Sequence, residues 1–139
     1  MIFNPEESIA FTGNTGPYHQ YTCARINSML RKYKQQRGGK LPDDIPAEYL
    51  TLDVEKALAK LLSRFPERLI AAGRELNPSL IANYLYEVAK SFSSYYHDVQ
   101  VLANSDELLV LARVQLCRGV LEVLRRGFYT LNIPFLEIM

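Results

Sequence analysis

Helix-start signals recur along this chain of 139 residues, and each is followed by apolar residues at helical spacing. Gly16-Pro17 opens one such stretch, Pro66 another and Asn77-Pro78 a further one, while Asn104-Ser105-Asp106-Glu107 has the pattern of a capping box. Proline suits the first helical position because the N–H it lacks has no intrahelical partner there, and a polar residue just before the helix accepts from the freed N–H groups. The spacing predicts a first helix over 17–36, with Thr22, Cys23, Ile26, Met29, Leu30 and Tyr33 as its apolar stripe. A second is expected over 53–64, with Leu52, Ala57, Leu58 and Leu61 turned inward, and a third over 66–75. The fourth, over 78–98, carries Leu80, Ile81, Tyr84, Leu85, Val88 and Phe92. The last is expected to reach Leu131, with Asn132 as its stop and Pro134 beyond, and Leu85 and Leu121 are expected core positions. No stretch has strand-like alternation, and residues 1–12 read as an extended lead-in. The fold class is all-α, a bundle of about five helices.

The length suits one domain that buries roughly two-thirds of its unfolded surface. The net charge of +1 does not announce a nucleic-acid binder, but the sign is unevenly spread. Arg25, Arg31, Lys32, Lys34, Arg37 and Lys40 crowd the first helix and its exit, and Asp43, Asp44, Glu48, Asp53 and Glu55 follow. Such a run reads as a solvated face or as a track for phosphates. Cys23 and Cys117 are the two cysteines, far apart and on apolar-patterned stretches, so they read as small core residues and suggest no zinc site. Pro5, Glu6 and Glu7 do not suit a signal peptide, and no apolar run approaches the roughly 20 residues of a membrane span.

The stretch richest in chemistry is Gly13-Asn14-Thr15-Gly16-Pro17-Tyr18-His19-Gln20-Tyr21, followed by Ala24-Arg25. Thr15 or Gly16 can cap the helix that Pro17 starts. Tyr18, Tyr21 and Arg25 then stand at i, i+3 and i+7 on one side of it. Flat rings beside a planar cation can stack and clamp unpaired bases. The same spacing also fits a tyrosine-rich core helix whose arginine makes a surface ion pair. Tyr95 and Tyr96 are adjacent and cannot share a helix face, so at least one of them packs inward. The tail Ile133-Pro134-Phe135-Leu136-Glu137-Ile138-Met139 is too apolar to fray, and packing back on the bundle explains it as well as a binding role does.

The string from Phe11 to Arg25 resembles the junction motif of arginyl-tRNA synthetases, which reads F-x-G-N-T-G-P-Y-x-Q-Y-x-x-A-R. Asn83-Tyr84-Leu85-Tyr86-Glu87, Phe92-Ser93-Ser94-Tyr95-Tyr96-His97-Asp98 and a last helix ending near Met139 follow in the order of that family's C-terminal anticodon-binding domain, often called DALR. The resemblance implies a lead-in over 1–12 from a catalytic domain upstream of Met1, and an anticodon-binding helical domain over 13–139. It implies contact with tRNA(Arg) through Tyr18, Gln20, Tyr21, Arg25, Tyr96, His97 and Met139. Arginine anticodons share a central cytosine, a base that an aromatic pocket can inspect once it is unstacked. The family often has arginine before its terminal methionine, where this chain has Ile138.

Catalytic chemistry is not apparent. His19 and His97 are the two histidines, and no nucleophile or carboxylate pair is set for acid–base work. The histidine-glycine-histidine and lysine-serine signatures that synthetases of this class use for ATP are missing. The resemblance therefore implies a chain without catalytic, cofactor or metal residues of its own. ATP and magnesium would be held by the catalytic domain of the same polypeptide, in a monomeric cytoplasmic ligase with no membrane contact. Two other readings remain: a helical protein-interaction module with an aromatic docking face, and a freestanding enzyme with an unrecognised site.

Overall fold

The computed structural model describes residues 5–10, 12–38, 41, 42, 44 and 46–136. Its elements are α1 (Pro5–Ser8), α2 (Gly16–Arg37), a 3-10 turn over Ala47–Tyr49, α3 (Asp53–Ser63), α4 (Phe65–Glu75), α5 (Ser79–Asp98) and α6 (Glu107–Thr130). No strand occurs among the described residues, and the fold is the all-α bundle expected. The lead-in differs from expectation, because Pro5–Ser8 closes a single helical turn where extended chain was expected. A proline at its first position suits that turn as it suits the longer helices.

The helix ends follow local chemistry. Thr15 caps α2, its hydroxyl accepting from Tyr18 N at 3.3 Å and donating to Ala10 O at 2.5 Å. Asp106 caps α6 by accepting from Leu108 N and Leu109 N, while Asn104 Oδ1 accepts from Asp106 N at 2.9 Å. Glu107 does not complete a capping box. Its carboxylate takes a two-pronged contact from Arg37 at 2.6 and 3.2 Å, which fastens the end of α2 to the start of α6. Asn132, at φ +55°, stops α6 with Ile133 N donating to Phe128 O and Asn132 N to Tyr129 O.

α6 lies at the centre, packed against α2, α3 and α5. Val110, Ala112, Val114, Leu116, Cys117, Val120, Leu124 and Phe128 are buried along it, facing in nearly all directions, as a helix surrounded by others requires. Cys23, Ile26 and Met29 meet them from α2, and Leu85, Val88 and Phe92 from α5. Leu121 is only half-buried, and on α3 Leu52 and Ala57 are exposed. In their place Glu55 turns inward with no exposed surface. One carboxylate oxygen accepts from Arg113 Nε at 2.7 Å and the other from Leu52 N at 3.0 Å. A single acid thus both caps α3 and pairs with α6, so Glu55 does not belong to the solvated acidic run.

Candidate nucleic-acid interface

The turn before α2 is held by side chains as well as by backbone. Gly13 sits at φ +80°, where other residues are strained. Asn14 Nδ2 donates to Asn83 Oδ1 at 3.1 Å, and its Oδ1 lies 3.0 Å from His19 Nε2. His19 is buried, and burial pulls its pKa down from 6.5 to about 4. The ring is therefore neutral and donates from Nε2 to Asn14. Its edges meet Tyr86 and Phe128, with centroids 6.2 and 6.0 Å apart. The apolar stripe of α2 thus includes a histidine that spacing alone did not single out.

Successive residues of a helix turn by about 100°. That rotation places Tyr18 nearest the buried stripe, Arg25 next and Tyr21 farthest out. Tyr18 is accordingly half-buried against α5, its hydroxyl 3.3 Å from Ser93 Oγ and its ring edge-on to Tyr86 at 5.7 Å. Gln20 points the other way, and its Nε2 donates to Pro134 O at 3.3 Å, tying α2 to the chain beyond α6. Tyr21 stays 44% exposed.

Beside Tyr21 lies an open groove of about 600 Å³ between α2 and the end of α5. Arg25 stands in it, with its guanidinium 4.8 Å from the Tyr21 ring and 5.7 Å from the Tyr96 ring, while Nη2 donates to Tyr21 Oη at 2.8 Å. Among the described residues no carboxylate pairs with this cation, so it keeps its charge for an anion while the rings keep faces for stacking. Ser28 and Lys32 continue the wall along α2, and His97 closes it from α5. His97 is 87% exposed, with Nδ1 2.8 Å from Asp98 Oδ1. Tyr95 is buried and Tyr96 half-buried against Phe92, at 5.5 Å between centroids.

Of the expected site residues, Tyr21, Arg25, Tyr96 and His97 thus share one groove. Tyr18 and Gln20 do not line it. Met139 lies outside the described residues, as do Phe11 and Lys40. Of the basic run, Arg37 is engaged by Glu107, while Arg31 and Lys32 reach the groove. Spacing puts Lys32 with Arg25 and Ser28 at i, i+3 and i+7 on one edge of α2, whereas Arg31 falls outside that series. Among the described residues no cluster of histidine, cysteine or carboxylate groups is placed to hold a metal ion. No helix there is long and apolar enough to cross a membrane.

Comparison with known proteins agrees with this architecture. The family model described as DALR anticodon binding domain matches residues 19–139. The arginine–tRNA ligase of Borrelia hermsii is 42% identical over 139 residues, covering 100% of this chain and 24% of that protein. That of Treponema pallidum subsp. pallidum is 43% identical over 141 residues, again 100% of this chain and 24% of the relative. Among solved structures, Thermus thermophilus arginyl-tRNA synthetase superposes with a TM-score of 0.85 at 33% identity, over 99% of this chain and 23% of that one. The Plasmodium falciparum arginyl-tRNA synthetase shares the fold, with a TM-score of 0.81 at 22% identity over 99% of this chain and 23% of that one. The chain spans about a quarter of the length of these relatives. With its helices superposing on theirs and the family model running from His19 to the last residue, the chain belongs to the DALR anticodon binding domain family, in the form found in arginine–tRNA ligases.

Proposed function

We propose that this domain holds the unpaired anticodon loop of tRNA(Arg) for a parent enzyme that joins arginine to that tRNA at the expense of ATP. The observation that carries the reading is the Tyr21–Arg25–Tyr96 arrangement: two rings with a guanidinium between them, opening on solvent beside Lys32 and His97. Such a groove suits a splayed base on a ring face and its phosphate on the cation. Tyr18 and Gln20 act in this reading by fixing how α2 sits against α5 and the tail, and Met139 as part of the pocket wall. ATP and magnesium belong to the catalytic domain of the same polypeptide, which works as a monomer in the cytoplasm.

The test is binding of arginine tRNA to the wild-type chain and to Tyr21→Ala at fixed salt. Loss of one stacking platform should weaken binding by about 1–3 kcal/mol while the thermal melt is unchanged. Transcripts altered only at the central anticodon cytosine should bind the wild type more weakly. Equal affinity of mutant and wild type, with both folded, would overturn the assignment of Tyr21.

A further inference from the structure

A second groove, of about 520 Å³, runs along the opposite side of α2, between it and α6. Each helix supplies it through the same spacing. Asn27, Leu30, Arg31 and Lys34 stand at i, i+3, i+4 and i+7 on α2, and Arg118, Leu121, Glu122 and Arg125 do so on α6. Leu30 and Leu121 form the floor together with Leu41 and Phe135. The rim is cationic: Arg31 and Lys34 on one side, Arg118 and Arg125 on the other. Among the described residues that line it, the one carboxylate, Glu122, is turned to Arg126 at 2.5 Å. The Arg125 guanidinium rests 5.9 Å from the Phe135 ring, which keeps it at the wall.

In a chain of net charge +1, this concentration of cations is local. Like charges brought together over an apolar floor repel one another, and the arrangement favours an anion that also has an apolar surface to bury. A nucleotide in single-stranded RNA has both, a base for the floor and a phosphate for the rim. Arg31 lines this groove as well as the one beside Tyr21, so the two meet around α2. A helix with its side chains is about 10–12 Å across, a span that a few nucleotides of one strand cover.

We infer that the α2–α6 groove is a second subsite for unpaired RNA, occupied by nucleotides of the same loop that enters the Tyr21 groove, with Lys34 and Arg125 on its phosphates and Leu30, Leu121 and Phe135 under a base. The inference rests on the proposed RNA-binding reading and extends it to a face that the junction motif does not reach.

The experiment measures binding of an RNA hairpin with an unpaired arginine anticodon loop, across a salt series, to four folded forms of the chain. These are the wild type, Tyr21→Ala, the double variant Lys34→Gln/Arg125→Gln, and the charge-matched control Lys60→Gln/Arg74→Gln, whose positions on α3 and α4 lie outside both grooves. The groove variant should bind about tenfold more weakly and lower the slope of log affinity against log salt by about 1–2, as loss of two phosphate contacts requires. The control should change little, and a blunt duplex of the same stem should not distinguish the two double variants. If Tyr21→Ala loses affinity while the groove variant matches the wild type or the control, the inference falls and the proposed function stands. If the groove variant alone loses affinity, the α2–α6 groove remains an RNA site and the Tyr21 assignment falls. If the wild type binds no hairpin, both fall.

Discussion

His19 and Gly127 show how single residues hold the two ends of the interface helices. His19 is neutral in the folded chain because burial lowers its pKa to about 4 against 6.5, whereas the unfolded chain takes up a proton near the ordinary value. A depressed folded pKa means that this contribution to stability is complete above about pH 6.5 and is lost as the pH falls toward about 4. Denaturant titrations at about pH 7 and about pH 4.5 should therefore show wild type losing on the order of 2 kcal/mol more than His19→Asn. Parallel losses in the two proteins would mean that His19 stays protonated in the fold. Gly127 is required for a different reason. A Cβ there would lie 2.4 Å from Leu85 Cδ2 and 3.0 Å from its Cγ, and Leu85 is itself buried. Gly127→Ala should thus cost about 1–3 kcal/mol through overpacking, despite alanine's better helix propensity. A melting temperature at or above wild type would show that Leu85 has room to turn away.

At the scale of the elements, caps decide where each helix stops, and one of them is costly. α4 ends with Leu76 at φ +49°, Asn77 N donating to Ala72 O at 3.0 Å. This is the position that glycine or asparagine normally fills, because the left-handed conformation costs a branched or bulky side chain about 1–2 kcal/mol. Leu76 is 89% exposed, so no burial offsets that cost. Leu76→Gly should raise stability by about 0.5–1 kcal/mol, read as a higher denaturation midpoint at unchanged slope. A lower midpoint would indicate that the leucine packs where the cap alone does not show it. The ends at Thr15 and Asn132 were legible because their chemistry is local, acting on N–H and C=O groups within a few residues of themselves. The polar run before α6 was legible for the same reason, but the cap stands at Asp106 and not in a box spanning Asn104–Glu107. Glu55 and Glu107 were misjudged for the converse reason, since each is claimed by an arginine on a distant element.

Across the whole molecule, the Glu55–Arg113 pair joins α3 to the central helix, and Arg113 Nη1 also donates to Gln100 O at 3.4 Å in the α5–α6 connection. Removing one partner leaves the other charge buried without compensation, so Glu55→Ala should destabilise the chain by about 3–5 kcal/mol, measured by equilibrium unfolding. A loss below about 1 kcal/mol would show that Arg113 finds solvent instead. The five long helices, their order and the buried Ile26, Leu58, Leu61, Ile81, Leu85 and Val88 were determined by the sequence alone, because periodicity and capping act over a turn or two of chain. So was the membership of Tyr21 and Arg25 in an aromatic and cationic helix edge. Val110, Val114, Val120 and Leu124 on the central α6 were not singled out, since a helix buried on nearly all sides shows no single apolar stripe. The tertiary structure decided which edge residues face solvent together. Packing α2 between α5 and α6 consumed Tyr18 against Ser93 and Tyr86 and Gln20 against Pro134, and left Tyr21 open beside Tyr96. It also brought Arg31 and Lys34 opposite Arg118 and Arg125. A groove is the space between helices, and its walls come from residues whose separation along the chain carries no local signal.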